Sequence, residues 1–267
     1  MPYRSAVLFF SLFMLAAGVA RADGIQSTEI AGTAFRVILK SGRELGPKDL
    51  VGAVIKLDLE GAGERAVRID EVAPDPRDKD GEVLLYKTSM RNESTGEWGD
   101  TCGPDPDGKH LAFPLQGKWD ITGHRISETG LTLACTGGAL GKCVRLGYKP
   151  WKTAKDGTPL LRYHEACVHL IRADYCGNDN ATTVTGTPID TFDVLGIQQP
   201  EEDGMRFEAA WNEHGAVCVA HPRIPQNMTL ENLALTCPRL AGHLGEQACT
   251  EDAAKKSGDA ILFNRSH

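Results

Sequence analysis

Residues 158–177 read Thr-Pro-Leu-Leu-Arg-Tyr-His-Glu-Ala-Cys-Val-His-Leu-Ile-Arg-Ala-Asp-Tyr-Cys-Gly, and this segment decides the fold class. Its apolar residues recur at helical spacing, and Thr158 before Pro159 is typical of a helix start. Gly177 can end the helix. The segment therefore predicts one amphipathic α-helix. Shorter helices are predicted at residues 139–146, 229–236 and 244–256, and a hairpin with a turn at 212–215 is predicted at 207–220.

The chain before this region has a different periodicity. Between residues 33 and 135, apolar and polar residues alternate over short runs, and turn-forming residues separate the runs. No helical pattern stands between the runs, which argues against a parallel sheet. We predict an α+β fold, with an antiparallel β module at 23–135 and a cysteine-rich α+β region at 136–267. The clearest strands are predicted at 35–40, 55–60, 67–71, 83–86 and 111–115.

The N-terminus has the pattern of a signal peptide at residues 1–22. Arg4 precedes an apolar run over residues 6–17, and Ala20-Arg-Ala22 supplies the small residues that a signal peptidase needs. The run is shorter than the roughly 20 apolar residues of a membrane-spanning helix. We predict cleavage after Ala22, export to the periplasm or the exterior, and no membrane span in the mature chain.

The charge of the chain argues against two classes of partner. It has 29 Lys and Arg against 36 Asp and Glu, a formal charge of −7, and no run of basic residues. Nucleic acid and anionic lipid both need a basic surface. We expect neither of them and no cofactor; an unidentified envelope or extracellular partner is expected instead.

All eight cysteines lie C-terminal to residue 101. An even number in an exported chain favours disulfides, because an oxidising compartment forms and keeps them. Cys167 and Cys176 lie too far apart along one helix to bond to each other, and Cys143 can reach one of them. Cys237 can reach Cys249. Disulfides are predicted for the whole set, namely Cys102, Cys135, Cys143, Cys167, Cys176, Cys218, Cys237 and Cys249.

Several segments resemble one known family. The signature Ala173-Asp-Tyr-Cys176, with Gly141–Trp151 and His164-x-x-Cys167 before it, is similar to the ADYC domain of uncharacterised bacterial proteins. Residues 186–190, 215–218 and 262–265 are similar as well. The resemblance implies a bacterial exported protein, and it implies no activity, ligand or catalytic residue.

Four side chains around the helix are candidates for catalysis. Two acids that flank a histidine can perform acid–base chemistry, and a cysteine beside a histidine can act as a nucleophile. His164 and Cys167, with Cys176 or His169, would also suit zinc. We favour a disulfide at Cys167 and a partly buried histidine over that metal site. The catalytic candidates are His164, Asp174, Cys176 and Asp190.

Two further patterns have structural interpretations. Asp174 lies in the last helical turn, where a carboxylate opposes the helix dipole, so an ion pair with Arg145, Lys149 or Arg172 is predicted. Residues 137–142, Gly-Gly-Ala-Leu-Gly-Lys, lack residues that a phosphate-binding loop requires. They predict a glycine-rich helix entry with close packing.

Every catalytic motif considered lacks at least one required residue. The sequence therefore predicts an exported, non-enzymatic binding or structural module. The alternative is a secreted hydrolase with a site around His164, Asp174 and Cys176.

Overall fold

The computed structural model describes residues 23–59, 63–120, 122–201 and 204–267. The predicted signal peptide lies outside these residues. The described chain is an α+β fold with antiparallel sheets, four α-helices and three disulfides, which confirms the predicted fold class.

Nine strands form two antiparallel sheets in the N-terminal half. They are β1 (Ile25–Ala31), β2 (Ala34–Leu39), β3 (Glu44–Leu45), β4 (Val54–Leu59), β5 (Gly63–Pro74), β6 (Leu84–Arg91), β7 (Trp98–Asp100), β8 (Leu111–Trp119) and β9 (Arg125–Cys135). The first sheet has the order β1-β2-β3, and the second has the order β4-β5-β6-β8-β9 with β7 paired to β6.

The predicted alternation places one face of β2 in the core. Phe35 and Val37 are buried, whereas Arg36 points outward and binds Glu44 on β3 with a distance of 2.6 Å from Nε to Oε1. The phenol of Tyr86 on β6 accepts a hydrogen bond from the Phe35 amide at 3.2 Å. This hydrogen bond joins the two sheets. Phe35 and Val37 are buried and Arg36 is not because successive side chains point to opposite faces of a strand.

The C-terminal half combines four short strands with the helices. Its elements are α1 (Ala139–Arg145), α2 (Leu161–Arg172), β10 (Asp190–Asp193), β11 (Arg206–Asn212), β12 (Gly215–Val219), α3 (Leu230–Thr236), α4 (Glu251–Ser257) and β13 (Leu262–Ser266). The strands form one antiparallel sheet of order β10-β13-β11-β12. The predicted hairpin at 207–220 is β11 and β12.

Two helices are shorter than predicted. Leu160 is the N-cap of α2, and Ala173 ends it in the left-handed conformation with a φ of 50°. The last predicted helix begins at Glu251 instead of residue 244, and the Thr250 hydroxyl caps it. The residues just before Thr250 are not helical. The Gly245 amide instead donates a hydrogen bond to the Val219 carbonyl on β12 at 2.8 Å.

Helix α1 packs against both halves of the chain. Val144 belongs to the core of the N-terminal sheets, and Cys143 belongs to the core around α2. A Cβ atom at Gly141 would lie 2.2 Å from the Cys135 carbonyl oxygen, so only glycine allows this approach. The glycine-rich segment is therefore a closely packed helix entry, as predicted. The domain boundary at residue 135 stays a prediction.

Six of the eight cysteines form disulfides. The bonds are Cys102–Cys135, Cys143–Cys167 and Cys218–Cys249. Cys143 therefore bonds to one of its two predicted partners. The predicted Cys237–Cys249 bond is wrong, because Cys249 faces Cys218 on β12. Cys176 and Cys237 are thiols in this structure, so a disulfide at these two positions stays a prediction.

Candidate functional site

The signature segment 173–176 forms the turn that follows α2. Asp174 is fully buried, and its carboxylate accepts hydrogen bonds from His169 Nδ1 at 3.1 Å and from the Asn178 and Asp179 amides at 3.2 and 3.1 Å. Burial raises the pKa of Asp174, but these hydrogen bonds outweigh it and hold the pKa below its usual value. Asp174 therefore fixes the end of the helix.

The predicted partners of Asp174 are wrong, because none of Arg145, Lys149 and Arg172 binds it. Arg172 binds Asp179, and Arg145 and Lys149 bind aspartates of the N-terminal half. The partner is His169, in the last turn of α2. Because Ala173 takes the left-handed conformation, the chain reverses and directs Asp174 toward that turn.

His164 is buried in a different environment. Its Nδ1 donates to the Tyr148 carbonyl at 2.9 Å, and its ring packs edge-on against Trp119 at 4.9 Å. Burial lowers the pKa of His164 to about 4, so the ring is neutral near pH 7. His164 binds a carbonyl oxygen and an aromatic ring instead of the acids of the predicted catalytic arrangement.

Cys176 lies close to Asp174, as the hydrolase hypothesis requires, but its chemistry is unfavourable for a nucleophile. Burial, followed by contact with the Cys237 thiol, raises the pKa of Cys176 to about 12. A nucleophilic cysteine needs a lowered pKa. Asp190, the fourth candidate, is buried at the start of β10, with 3.6 Å between its Oδ2 and Arg265 Nη1.

The tyrosine of the signature takes part in a buried polar network. Tyr175 donates from its hydroxyl to Glu208 Oε1 at 3.0 Å and accepts from the Arg223 amide at 2.8 Å. Two guanidinium nitrogens of Arg223 bind the two Glu208 oxygens, each at 3.0 Å. Both charged side chains are almost fully buried, and the attraction between them offsets the free-energy cost of removing each charge from water.

Arg223 also caps the C-terminus of α2. It donates from Nη2 to the Leu170 carbonyl at 2.8 Å and from Nη1 to the Ile171 carbonyl at 3.1 Å. Carbonyls in the last helical turn have no partner within the helix, and a cation is favoured there. Sequence reasoning missed Arg223 and Glu208; the one available signal was an acid within the apolar run Phe207-Glu-Ala-Ala-Trp211.

An open cleft lies between the N-terminal sheets and the region around α1. It consists of two adjoining cavities of about 390 and 690 Å³ that share Arg77, Arg145, Leu146 and Gln198 as lining residues. The predicted candidate Asp190 lines the smaller cavity. The other catalytic candidates do not line either cavity.

Two basic residues at the cleft are held by acids of the N-terminal half. Arg145 binds Asp75 with 2.7 Å between Nε and Oδ2, and Asp105 with 3.4 Å between Nη1 and Oδ2. Lys149 binds Asp78 at 2.7 Å. Burial lowers the pKa of Lys149, but its hydrogen bonds to two aspartates outweigh it and keep the pKa above its usual value. These pairs fix the loop after β5 against the end of α1.

Other basic side chains along the cleft are not neutralised. Lys79, Lys142 and Lys155 line it without an ion pair to any residue that the structure describes. Leu146, Leu195 and Ile197 add apolar surface, and all three are only partly buried. Seven Lys and Arg against five Asp and Glu line the two cavities, so the lining has a small excess of positive charge beside apolar side chains. Such a lining suits a ligand that is both anionic and partly apolar.

Metal binding finds no support in the described ranges. No group of three or more His, Cys, Asp or Glu side chains there could hold an ion. The zinc arrangement considered for His164 and Cys167 is excluded, because Cys167 is bonded to Cys143. Within the same ranges, no helix has both the length and the apolar character needed to cross a bilayer.

Comparison with known proteins identifies one family. A family model described as the ADYC domain matches residues 47–225, which include α1, α2 and the Ala173–Cys176 signature. No curated protein and no solved structure matches the chain.

Proposed function

The chain belongs to the ADYC domain family, and we propose that it is an exported, non-enzymatic protein that binds an amphipathic anion in the cleft between its two halves. The observation that carries the proposal is the contrast between the signature residues and the cleft. The signature side chains stabilise the end of α2, whereas the cleft is open and holds lysines without ion pairs.

The contacts of the candidate catalytic residues argue against the hydrolase alternative. His164 is neutral and bound to a backbone carbonyl, and Asp174 accepts three hydrogen bonds, one from His169 on α2 and two from backbone amides of its own turn. General acid–base catalysis needs a group that reaches the substrate and titrates near the working pH. His164 is fully buried and has a pKa of about 4, so it fails both conditions.

Export is supported by the disulfides and by the N-terminal sequence. Three disulfides persist in an oxidising compartment, and cytosolic thiol systems keep such cysteines reduced. Fractionation of cells that produce the chain with and without residues 1–22 tests this part. We expect the protein outside the cytoplasm only with these residues present, and cytoplasmic retention of both forms would contradict export.

Binding can be tested with a fluorescent amphipathic anion. We expect anilinonaphthalene sulfonate to bind residues 23–267, and Lys142→Glu to weaken that binding about tenfold, because it reverses one charge beside the ligand. The uncharged phenylnaphthylamine should bind wild type and Lys142→Glu equally. Lys118→Glu, an exposed site on β8 outside the cleft, is the matched control.

Two outcomes would contradict the proposal. Equal weakening by Lys118→Glu would show that the probe responds to net charge and not to the cleft. Hydrolysis of a fluorogenic ester or peptide that is lost in Cys176→Ser would favour the hydrolase.

A further inference from the structure

Cys176 and Cys237 are the two thiols among the described cysteines, and their side chains are in contact. Cys176 follows the turn after α2, and Cys237 is the C-cap of α3. Cys237 is 4% exposed, whereas Cys176 is only partly buried. Cys176 is therefore the more exposed residue of the pair.

Hydrogen bonds of Arg239, and not the two sulfur atoms, hold the segment of Cys176 next to the segment of Cys237. Arg239, two residues after Cys237, donates to the Tyr175 carbonyl at 2.7 Å and to the Cys176 carbonyl at 3.4 Å. It also donates to the Ala216 carbonyl at 2.5 Å. The guanidinium thus ties the segment after α3 to the signature turn and holds the two cysteines side by side.

We propose that Cys176 and Cys237 form a fourth disulfide in the exported protein, by exchange with a disulfide of an oxidant in that compartment. Cys176 loses its proton and attacks one sulfur of the oxidant, and the other sulfur leaves and takes a proton; the raised pKa of Cys176 keeps the thiolate scarce and makes this first step slow, which a structural bond tolerates and a catalytic one does not. The Cys237 thiolate then attacks Cys176 in the mixed disulfide and displaces the second oxidant thiol. The chain loses two hydrogens and two electrons, and the oxidant disulfide becomes two thiols.

The surroundings favour a structural bond over a catalytic one. Proteins that pass disulfides to others stabilise a thiolate in the reduced form, which makes their disulfide strongly oxidising. Burial of Cys176 has the opposite effect and raises its pKa to about 12. The reduced pair gains no such stabilisation, so the disulfide resists reduction once formed.

Alkylation and mass spectrometry of the full exported chain test the proposal. The protein is incubated with glutathione disulfide, denatured and treated with iodoacetamide without reductant. We expect no alkylated cysteine, and a linked peptide pair that contains Cys176 and Cys237. Two alkylated cysteines mapped to these positions would overturn the proposal.

The double variant Cys176→Ser/Cys237→Ser provides the matched control. It should retain the other three disulfides and show no alkylation, because the two segments are held by Arg239. In the single variant Cys237→Ser no second thiol can resolve the mixed disulfide, so Cys176 should be found either alkylated or joined to glutathione, and in no cross-linked peptide. If wild type and Cys237→Ser show the same amounts of alkylated and glutathione-bound Cys176, the bond does not form.

Discussion

Replacement of Arg223 by methionine tests whether the buried network stabilises the signature turn. The substitution keeps a long apolar side chain but removes the guanidinium that binds Glu208 and the carbonyls of Leu170 and Ile171. Glu208 would then be a buried charge without its cation, and two carbonyls at the end of α2 would lose their donors.

The expected loss of stability is large. Removal of one member of a buried ion pair costs about 3–5 kcal/mol, because the other charge remains desolvated. In a chain of this size each kcal/mol lowers Tm by about 2–4 °C, so Arg223→Met should lower Tm by about 6–20 °C. The double variant Arg223→Met/Glu208→Gln should recover part of this loss, because its remaining partner is neutral and can still bind the Tyr175 hydroxyl.

Thermal and urea unfolding of the oxidised protein measure these effects. Arg162→Met is the matched control, because Arg162 makes an ion pair with Glu213 while its side chain is 55% exposed. Exposed pairs contribute less than about 1 kcal/mol. A Tm for Arg223→Met equal to that of the control, or a double variant less stable than the single one, would refute the reasoning.

Three further substitutions have definite expected results. The free energy of unfolding should fall by about 3 kcal/mol between pH 6.5 and pH 4, because the unfolded chain protonates His164 in this range and the folded chain, in which the pKa of His164 is about 4, largely does not. Urea unfolding at each pH measures this fall. The substitution His164→Gln should reduce the pH dependence, and His214→Gln, at an exposed position, should not. Arg145→Met should cost about 3 kcal/mol in urea unfolding, since the two buried aspartates beside it lose their cation; a cost under about 1 kcal/mol would contradict the burial argument. Gly177→Ala should lower Tm far more than Gly186→Ala, because both glycines have a positive φ but only at position 177 would a Cβ lie 2.2 Å from a carbonyl oxygen.

Local patterns in the sequence were sufficient for the main elements. The alternation at residues 35–39 predicted β2 because one face of a strand packs on the core, and the apolar spacing at 160–171 predicted α2 for the corresponding reason. Helical geometry excluded a bond between Cys167 and Cys176, and the structure pairs Cys167 with Cys143.

Strands that pair across long sequence distances were less predictable. β13 was not predicted, and it lies between β10 and β11 in the C-terminal sheet. Its five residues, Leu-Phe-Asn-Arg-Ser, have no alternation long enough to distinguish a strand from a loop. The segment is a strand because it forms backbone hydrogen bonds with β10 on one side and with β11 on the other.

The sequence by itself determined the α+β class, the positions of most elements and the family signature. Only the tertiary structure decided what the signature does, because its partners come from distant segments. Glu208 and Arg223 reach Tyr175 from β11 and from the loop after β12, and Cys237 reaches Cys176 from the end of α3. No local periodicity encodes such contacts, since they depend on how the chain returns to the end of α2. The cleft has the same origin, because its lining comes from loops that meet only when the N-terminal sheets pack against α1.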